Sequence, residues 1–285
     1  MSDRGGGSAP PLRIPGEAMQ ADEHLRSGDP QAALTHLQEI VRRDPSSSAW
    51  RIYLFQLLAI NGAWDRAATQ LGVLADMDPA AESMVRTYRE ALLCEALRRD
   101  IFSGSKTPML FGEPPSWAAW LTQAAMLDAA GKTEDAASLR ARALEEAPAI
   151  SGNVDGKPFA WIADADTRLG PLLEAIVLGK YYWIPFSHIR GIVVEKPTDL
   201  RDFVWTPVEF LWTNGGKAVG FIPTRYPGSE SSADGLVRLA RKTEWAQVGD
   251  SGYWGSGQRM FATDDGDHAL CDVRTISLDA PGEGA

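Results

Sequence analysis

Cysteine is scarce in this chain: Cys94 and Cys271 are the only two among 285 residues. They are too few and too widely spaced for a disulfide framework or for the clustered ligands of a structural zinc site, so both are expected to be reduced thiols. Long apolar runs are lacking as well. No stretch approaches the ~18 uninterrupted apolar residues of a membrane helix, and the polar, glycine-rich segment after Met1 lacks a signal-peptide core. Neither a membrane span nor export is expected, and the expected compartment is the cytoplasm. Basic charge is in deficit, with 28 Lys and Arg against 38 Asp and Glu and a net charge of −10. Such a balance repels phosphate backbones and anionic lipid heads, which argues against a nucleic-acid or membrane-surface role. Glycine and proline number 27 and 18, well short of the share that marks pervasive disorder, and 44% of the residues are hydrophobic. A chain of one or two domains with a sizeable core is feasible.

Catalytic signatures are missing too. There is no Gly-x-Ser-x-Gly elbow, no His-Glu-x-x-His helix and no Cys-x-x-Cys pair, and the four histidines, His24, His36, His188 and His268, stand in no recognised catalytic motif. Asp264-Asp265-Gly266-Asp267-His268 with Cys271 gathers groups that can bind metals, but the calcium-loop spacing is absent and a polar turn between strands is the favoured reading. Gly249, Gly252, Gly255 and Gly257 surround Tyr253 and Trp254 without the strand-to-helix context of a phosphate cradle. Asp164 and Asp166 could share one face of a strand, as a metal or sugar site requires, or Asp166 could cap the turn before Thr167 or pair with Arg168. The second pair of readings is favoured. No catalytic residue, cofactor or metal is therefore expected, and the chain is read as a non-enzyme.

What the chain does have is a regular helical half. The segment 1–16, with Gly5-Gly6-Gly7 and Pro10-Pro11, has almost nothing to bury and reads as a flexible tail. From residue 17 to 150, alanine- and leucine-rich segments end at Asp44-Pro45, Asp78-Pro79 and Ala147-Pro148. Placing Gly28–Pro45 over Gly62–Pro79 matches glycine, alanine (Ala33, Ala67), leucine (Leu37, Leu71) and proline at an offset of 34 residues. That period and those positions resemble the tetratricopeptide repeat. A third unit places Ala136 and Ala143 after Gly131, with Trp120 and Leu127 in the preceding helix. Between these units Glu82 to Phe102 reads as one long helix stopped by Gly104, whose partner helix is missing. The proline-rich segment from Ser105 to Ser116 takes its place, and Phe55 occupies a position usually held by a small residue.

Residues 151–280 change character. β-Branched and aromatic residues replace alanine in FAWIAD, LLEAIVLGKYYWIPF, IRGIVVE, PVEFLWT, KAVGFIPTRY, GQRMFATD and VRTISL, which read as mostly antiparallel strands. Asn214-Gly215-Gly216 is a hairpin turn, and Asp199–Val204 and Ser232–Arg241 suit short helices. Six of the ten tryptophans lie here, enough to fill a compact sheet or small barrel. The expected fold is α+β: tetratricopeptide-like helical hairpins, then a β-rich domain with short helices.

The tract Gly179–Ser229 carries a distinctive order: Tyr181, Trp183, Ile184, Pro185 and Phe186, then Arg201, Asp202, Phe203 and Trp205, then Pro223, Tyr226 and Pro227. With WIADADTRLGP upstream (Trp161–Pro171), it resembles the ImpE/TagJ accessory proteins of bacterial type VI secretion systems, Phe203 standing where leucine is usual. The resemblance spans nearly the whole chain after the tail. It implies a non-enzymatic cytoplasmic adaptor that contacts the N-terminal helix of the small sheath subunit and is connected to the ClpV ATPase. In tetratricopeptide arrays the first helix of each pair lines the concave face, which makes Ile52, Gln56, Ala59 and Ile60, with Leu121, Ala125 and Asp128, candidate partner contacts. The alternative for these residues is packing between repeats or against the C-terminal domain. The aromatic motif residues Tyr181, Trp183, Phe186, Trp205 and Tyr226 are expected to be chiefly structural. A competing function, from a different class, is a small-molecule or enzymatic site built from Asp164, Asp166, Arg168 and Arg201 around the tryptophans.

Overall fold

Helices start and stop at the punctuation of the sequence in the computed structural model, which describes residues 19–250 and 252–279. The expected tail, 1–16, lies outside the described residues. α1 (Met19–Arg26) and α2 (Pro30–Arg43) turn at Gly28, α3 (Ser48–Ile60) and α4 (Trp64–Met77) at Gly62. After α5 (Glu82–Phe102), α6 (Ser116–Ala129) and α7 (Thr133–Glu146) turn at Gly131. Those three glycines have φ of 82°, 68° and 75°, in the left-handed region that a side chain disfavours, so the recurring glycine has a backbone cause. Asp29 caps α2, accepting from the Ala32 amide at 2.9 Å. Asp78 is extended and Asp44 lies outside the helical region, with φ −126° and ψ 77°, as a following proline favours.

Among the described residues no second helix follows α5 to complete its repeat unit. The chain instead runs out to β1 (Met109–Leu110), which lies parallel to β6 (Lys180–Pro185) and adds an edge to the C-terminal sheet. The interruption of the repeats is therefore a two-residue strand lent to the other half, too short to show any alternation in sequence.

The remaining strands begin at Gly152: β2 (Gly152–Val154), β3 (Lys157–Phe159), β4 (Ile162–Asp164), β5 (Leu172–Val177), β7 (Ile189–Val194), β8 (Trp205–Trp212) and β9 (Lys217–Pro223). β10 (Thr243–Val248), β11 (Gly252–Gly257), β12 (Met260–Thr263), β13 (Gly266–Ala269) and β14 (Thr275–Leu278) complete the set. The main sheet has the order β1-β6-β5-β9-β8-β7-β14-β2-β3, antiparallel at every step but the first. A three-stranded sheet, β13-β12-β4, and the hairpin β10–β11 accompany it. The Asn214-Gly215-Gly216 turn joins β8 to β9. Leu200–Phe203 forms a 3₁₀ turn and Gly235–Arg238 a short α8, inside the two segments expected to be helical. The fold is α+β as the sequence indicated.

Alternation along β8 sends Val208, Phe210 and Trp212 into one core with Phe186, Ile222 and Phe261, between the main sheet and the three-stranded sheet. A second core ignores the division between halves. It joins Leu57, Leu71, Val85 and Ile101 of the helices to Ile176, Tyr181, Trp183 and Trp205 of the strands. Helices and sheet thus bury one continuous apolar layer together, which aligns the repeats rigidly against the β-rich part.

Candidate protein-docking surfaces

The first question is what occupies the inner face of the repeats. Trp205, fully buried at the start of β8, stacks on Phe55 of α3 at 6.4 Å and tilts against Trp64 and Tyr88, while its indole Nε1 donates to Glu95 Oε1 at 3.0 Å. Phe55, out of place for a tetratricopeptide repeat, is the stacking surface for this tryptophan. Arg225, beside the Pro223-Tyr226-Pro227 step, donates from Nη1 to the Ile60 carbonyl at 2.8 Å and from Nη2 to that of Ala59 at 3.3 Å, both at the end of α3. Gln56 Oε1 accepts the Leu200 amide at 3.1 Å.

These contacts correct the expected partner surface. Gln56, Ala59, Ile60, Leu121, Ala125 and Asp128 are buried, and Ile52 is half-buried against the shared core. Asp128 is ion-paired with Arg140 inside the α6–α7 hairpin. The reason is physical: the inner side of α3 is covered by the chain's own β-rich half, Leu121 and Ala125 belong to the shared core, and Asp128 is held within the α6–α7 hairpin, so these residues pack within the molecule.

At the same junction sits a buried ionic network. Arg259, just before β12, is fully buried and pairs with both Asp164 of β4 and Glu174 of β5. Glu174 also accepts from Arg98 of α5, at 2.6 Å from Nε and 3.0 Å from Nη2, and from the Tyr181 hydroxyl. Arg98 in turn donates to the Arg225 carbonyl at 2.7 Å. Burial would raise Glu174, yet Arg98 and Arg259 hold its carboxyl down at about 2. Burial prevails at Asp164, pushing it up to about 6 against the pull of Arg259. It also raises Glu95 despite Arg98. Sequence reasoning did not single out Glu174, Arg259, Arg98 or Arg225. One signal was present, a glutamate inside the apolar strand LLEAIV, where a charge is held only by a buried partner.

The four residues of the competing site do not converge on a cavity. Asp166 pairs with Arg168 and accepts its amide at 2.9 Å, Asp164 is held by Arg259, and Arg201 lies elsewhere, paired with Asp199 at 2.6 Å and over the Tyr88 ring at 4.8 Å. Arg168 borders a shallow groove of about 320 Å³ beside Trp245 and Trp254. Asp264 Oδ1 accepts the Ala160 amide at 2.6 Å in the turn between β12 and β13, and His268 Nε2 lies 3.2 Å from the Thr263 hydroxyl. Burial pushes both cysteine thiols up to about 12, which keeps them poor nucleophiles. Tyr181, Trp183, Phe186, Trp205 and Tyr226 are all buried.

Two larger grooves remain open. One, of about 570 Å³, lies between α5 and the outer face of β5, β8 and β9, with Leu178 83% and Val219 72% exposed at its rim. The other, of about 370 Å³, runs between α4 and α5, lined by Trp64, Ala68, Leu92, Leu93 and Ala96 with Asp65, Arg89 and Arg99. Leu93 there is 72% exposed.

Known proteins share this architecture and its motifs. A family model described as ImpE protein matches residues 156–277, and a tetratricopeptide-repeat model matches residues 24–87. The type VI secretion system accessory component TagJ of Pseudomonas aeruginosa is 50% identical over 262 residues, covering 92% of each chain. The chain belongs to the ImpE/TagJ family. Protein VPA1032 from Vibrio parahaemolyticus, a crystal structure, has the same fold, with a TM-score of 0.84 at 24% identity over 92% of this chain and 98% of its own. The family resemblance of the motif tract now has a structural content. In this ImpE/TagJ chain Tyr181, Trp183, Phe203 and Trp205 of those motifs pack against the repeats, while Ile184 and Phe186 fill the core of the β-rich half.

Proposed function

We propose that this protein is a non-enzymatic adaptor of a bacterial type VI secretion system, working in the cytoplasm, that binds the N-terminal helix of the small sheath subunit and links the sheath to the ClpV ATPase. The observation that carries the reading is the 50% identity with an accessory component of that system across 92% of both chains. Two features support it. The repeats and the β-rich half share one core, so the chain is a joined scaffold with open grooves on its outside. Its conspicuous carboxylates and arginines are engaged with one another in buried pairs, of which Arg98–Glu174 joins the repeats to the β-rich half. Among the described residues no helix is long and apolar enough to cross a membrane.

Co-sedimentation with assembled sheaths, followed by capture of ClpV, tests the reading. The protein should pellet with sheaths carrying the small subunit's N-terminal helix, remain in the supernatant when that helix is deleted, and recruit ClpV only in the first case. Equal pelleting with both sheaths would refute it.

A further inference from the structure

The groove between α4 and α5 has the position and chemistry of a docking site for a helix. In a tetratricopeptide array the second helix of a unit packs against its own first helix and the second helix of the preceding unit. Here α4 is such a second helix, α5 is the first helix of the next unit, and the helix that should follow α5 is replaced by β1. The α4–α5 groove is the slot that the absent helix would fill. Its floor is apolar and partly small: Trp64 and Ala68 on one wall, Leu93 and Ala96 on the other, which suits close approach of a helix.

The charge around the slot selects the occupant. Arg89 and Arg99 line it, and neither forms an ion pair among the described residues, in a chain whose net charge is −10. Asp65 is the one acid in the lining. A helix presenting carboxylates beside an apolar stripe finds cations at the rim, whereas a basic helix meets two unpaired arginines.

We propose that this slot receives a partner's amphipathic helix in the place of the missing repeat helix, its apolar stripe on Trp64, Leu93 and Ala96 and its acidic residues on Arg89 and Arg99. The inference rests on the adaptor reading above, since the partner helix is taken to be that of the small sheath subunit. Leu93→Glu and Arg89→Glu/Arg99→Glu alter exposed side chains, so both variants should melt with the wild type.

The test titrates a peptide of the small sheath subunit's N-terminal helix into full-length wild type and each variant, at low and high salt. Wild type should bind, more weakly at high salt. Leu93→Glu should lose at least tenfold, and the double charge reversal should lose at least tenfold together with most of the salt dependence. Wild-type affinity in both variants overturns the inference and leaves the adaptor reading standing. Loss on Leu178→Glu, with Leu93→Glu unaffected, overturns it in favour of the groove beside β9. Absence of binding by wild type removes the adaptor reading and the inference with it.

Discussion

Replacing Arg259 by methionine should expose what the buried ionic network contributes to the fold. The side chain pairs with Asp164 and Glu174 and donates from Nε to the Pro223 carbonyl at 2.9 Å, with its guanidinium over the Tyr226 ring. Without it, Glu174 keeps Arg98 and Tyr181, but Asp164 is left with the Asp166 amide at 2.9 Å and the Tyr226 hydroxyl at 3.1 Å, and no cation. A buried carboxylate in that state takes up a proton. The wild-type carboxyl already sits at about 6, so at pH 7 holding it neutral adds about one pH unit, on the order of 1 kcal/mol, and at pH 5 it adds almost nothing because the wild type is itself protonated there. The lost contacts to Glu174 and to the Pro223 carbonyl do not depend on pH in this range and bring the total toward the ~3–5 kcal/mol typical of removing one partner from a buried pair. Urea unfolding followed by tryptophan fluorescence should therefore show Arg259→Met destabilised by about 3–5 kcal/mol at pH 7 and by about 1 kcal/mol less at pH 5. Combining it with Asp164→Asn should restore part of the loss, because no buried charge is then left unpaired. A loss below ~1 kcal/mol at pH 7, or one independent of pH, would refute the reasoning.

Three further outcomes follow from the same packing. Trp205→Ala should cost ~3–5 kcal/mol and lower the melting temperature, since the ring fills the concave side of the repeats; an unchanged melting temperature contradicts that placement. Leu178 holds a left-handed φ of 50° while 83% exposed, so Leu178→Asn should gain about 1 kcal/mol in thermal unfolding, and a loss would show that the leucine contributes to the fold. Asp164 titrates near 6 in the folded chain, above its unfolded value, so the folded state binds the extra proton as pH falls from 7 to 5 and the melting temperature should rise over that window. Asp164→Asn should remove the rise. Glu174, held near 2, acts in the opposite sense, its stabilising contribution being lost only as pH drops below about 4.5.

Local chemistry was legible in the sequence, and long-range chemistry was not. Helix ends followed from Gly28, Gly62 and Gly131 and from the Asp-Pro pairs because a left-handed turn and a proline constrain their own neighbours. The strands of residues 151–280 followed from alternation and β-branching. By contrast, β1 is two residues long, and its pairing with Tyr182 and Trp183 depends on chain more than seventy residues away. The choice between a binding and a packing face on α3 was not legible for the same reason: Ile60 and Ala59 suit either until Arg225 and Trp205 arrive from the other half. The motif aromatics were correctly read as packing residues, although Trp183 and Trp205 pack on helices as well as on the sheet. Arg259 and Glu174 lie 85 positions apart, and neither spacing nor periodicity links such a pair.

Calorimetric titration of the full-length protein with the intact small sheath subunit, and with that subunit lacking its N-terminal helix, tests the adaptor role most directly. Saturable binding to the intact subunit and none to the truncated one is the predicted result. Equal binding to both, or no binding to the intact subunit, would contradict it.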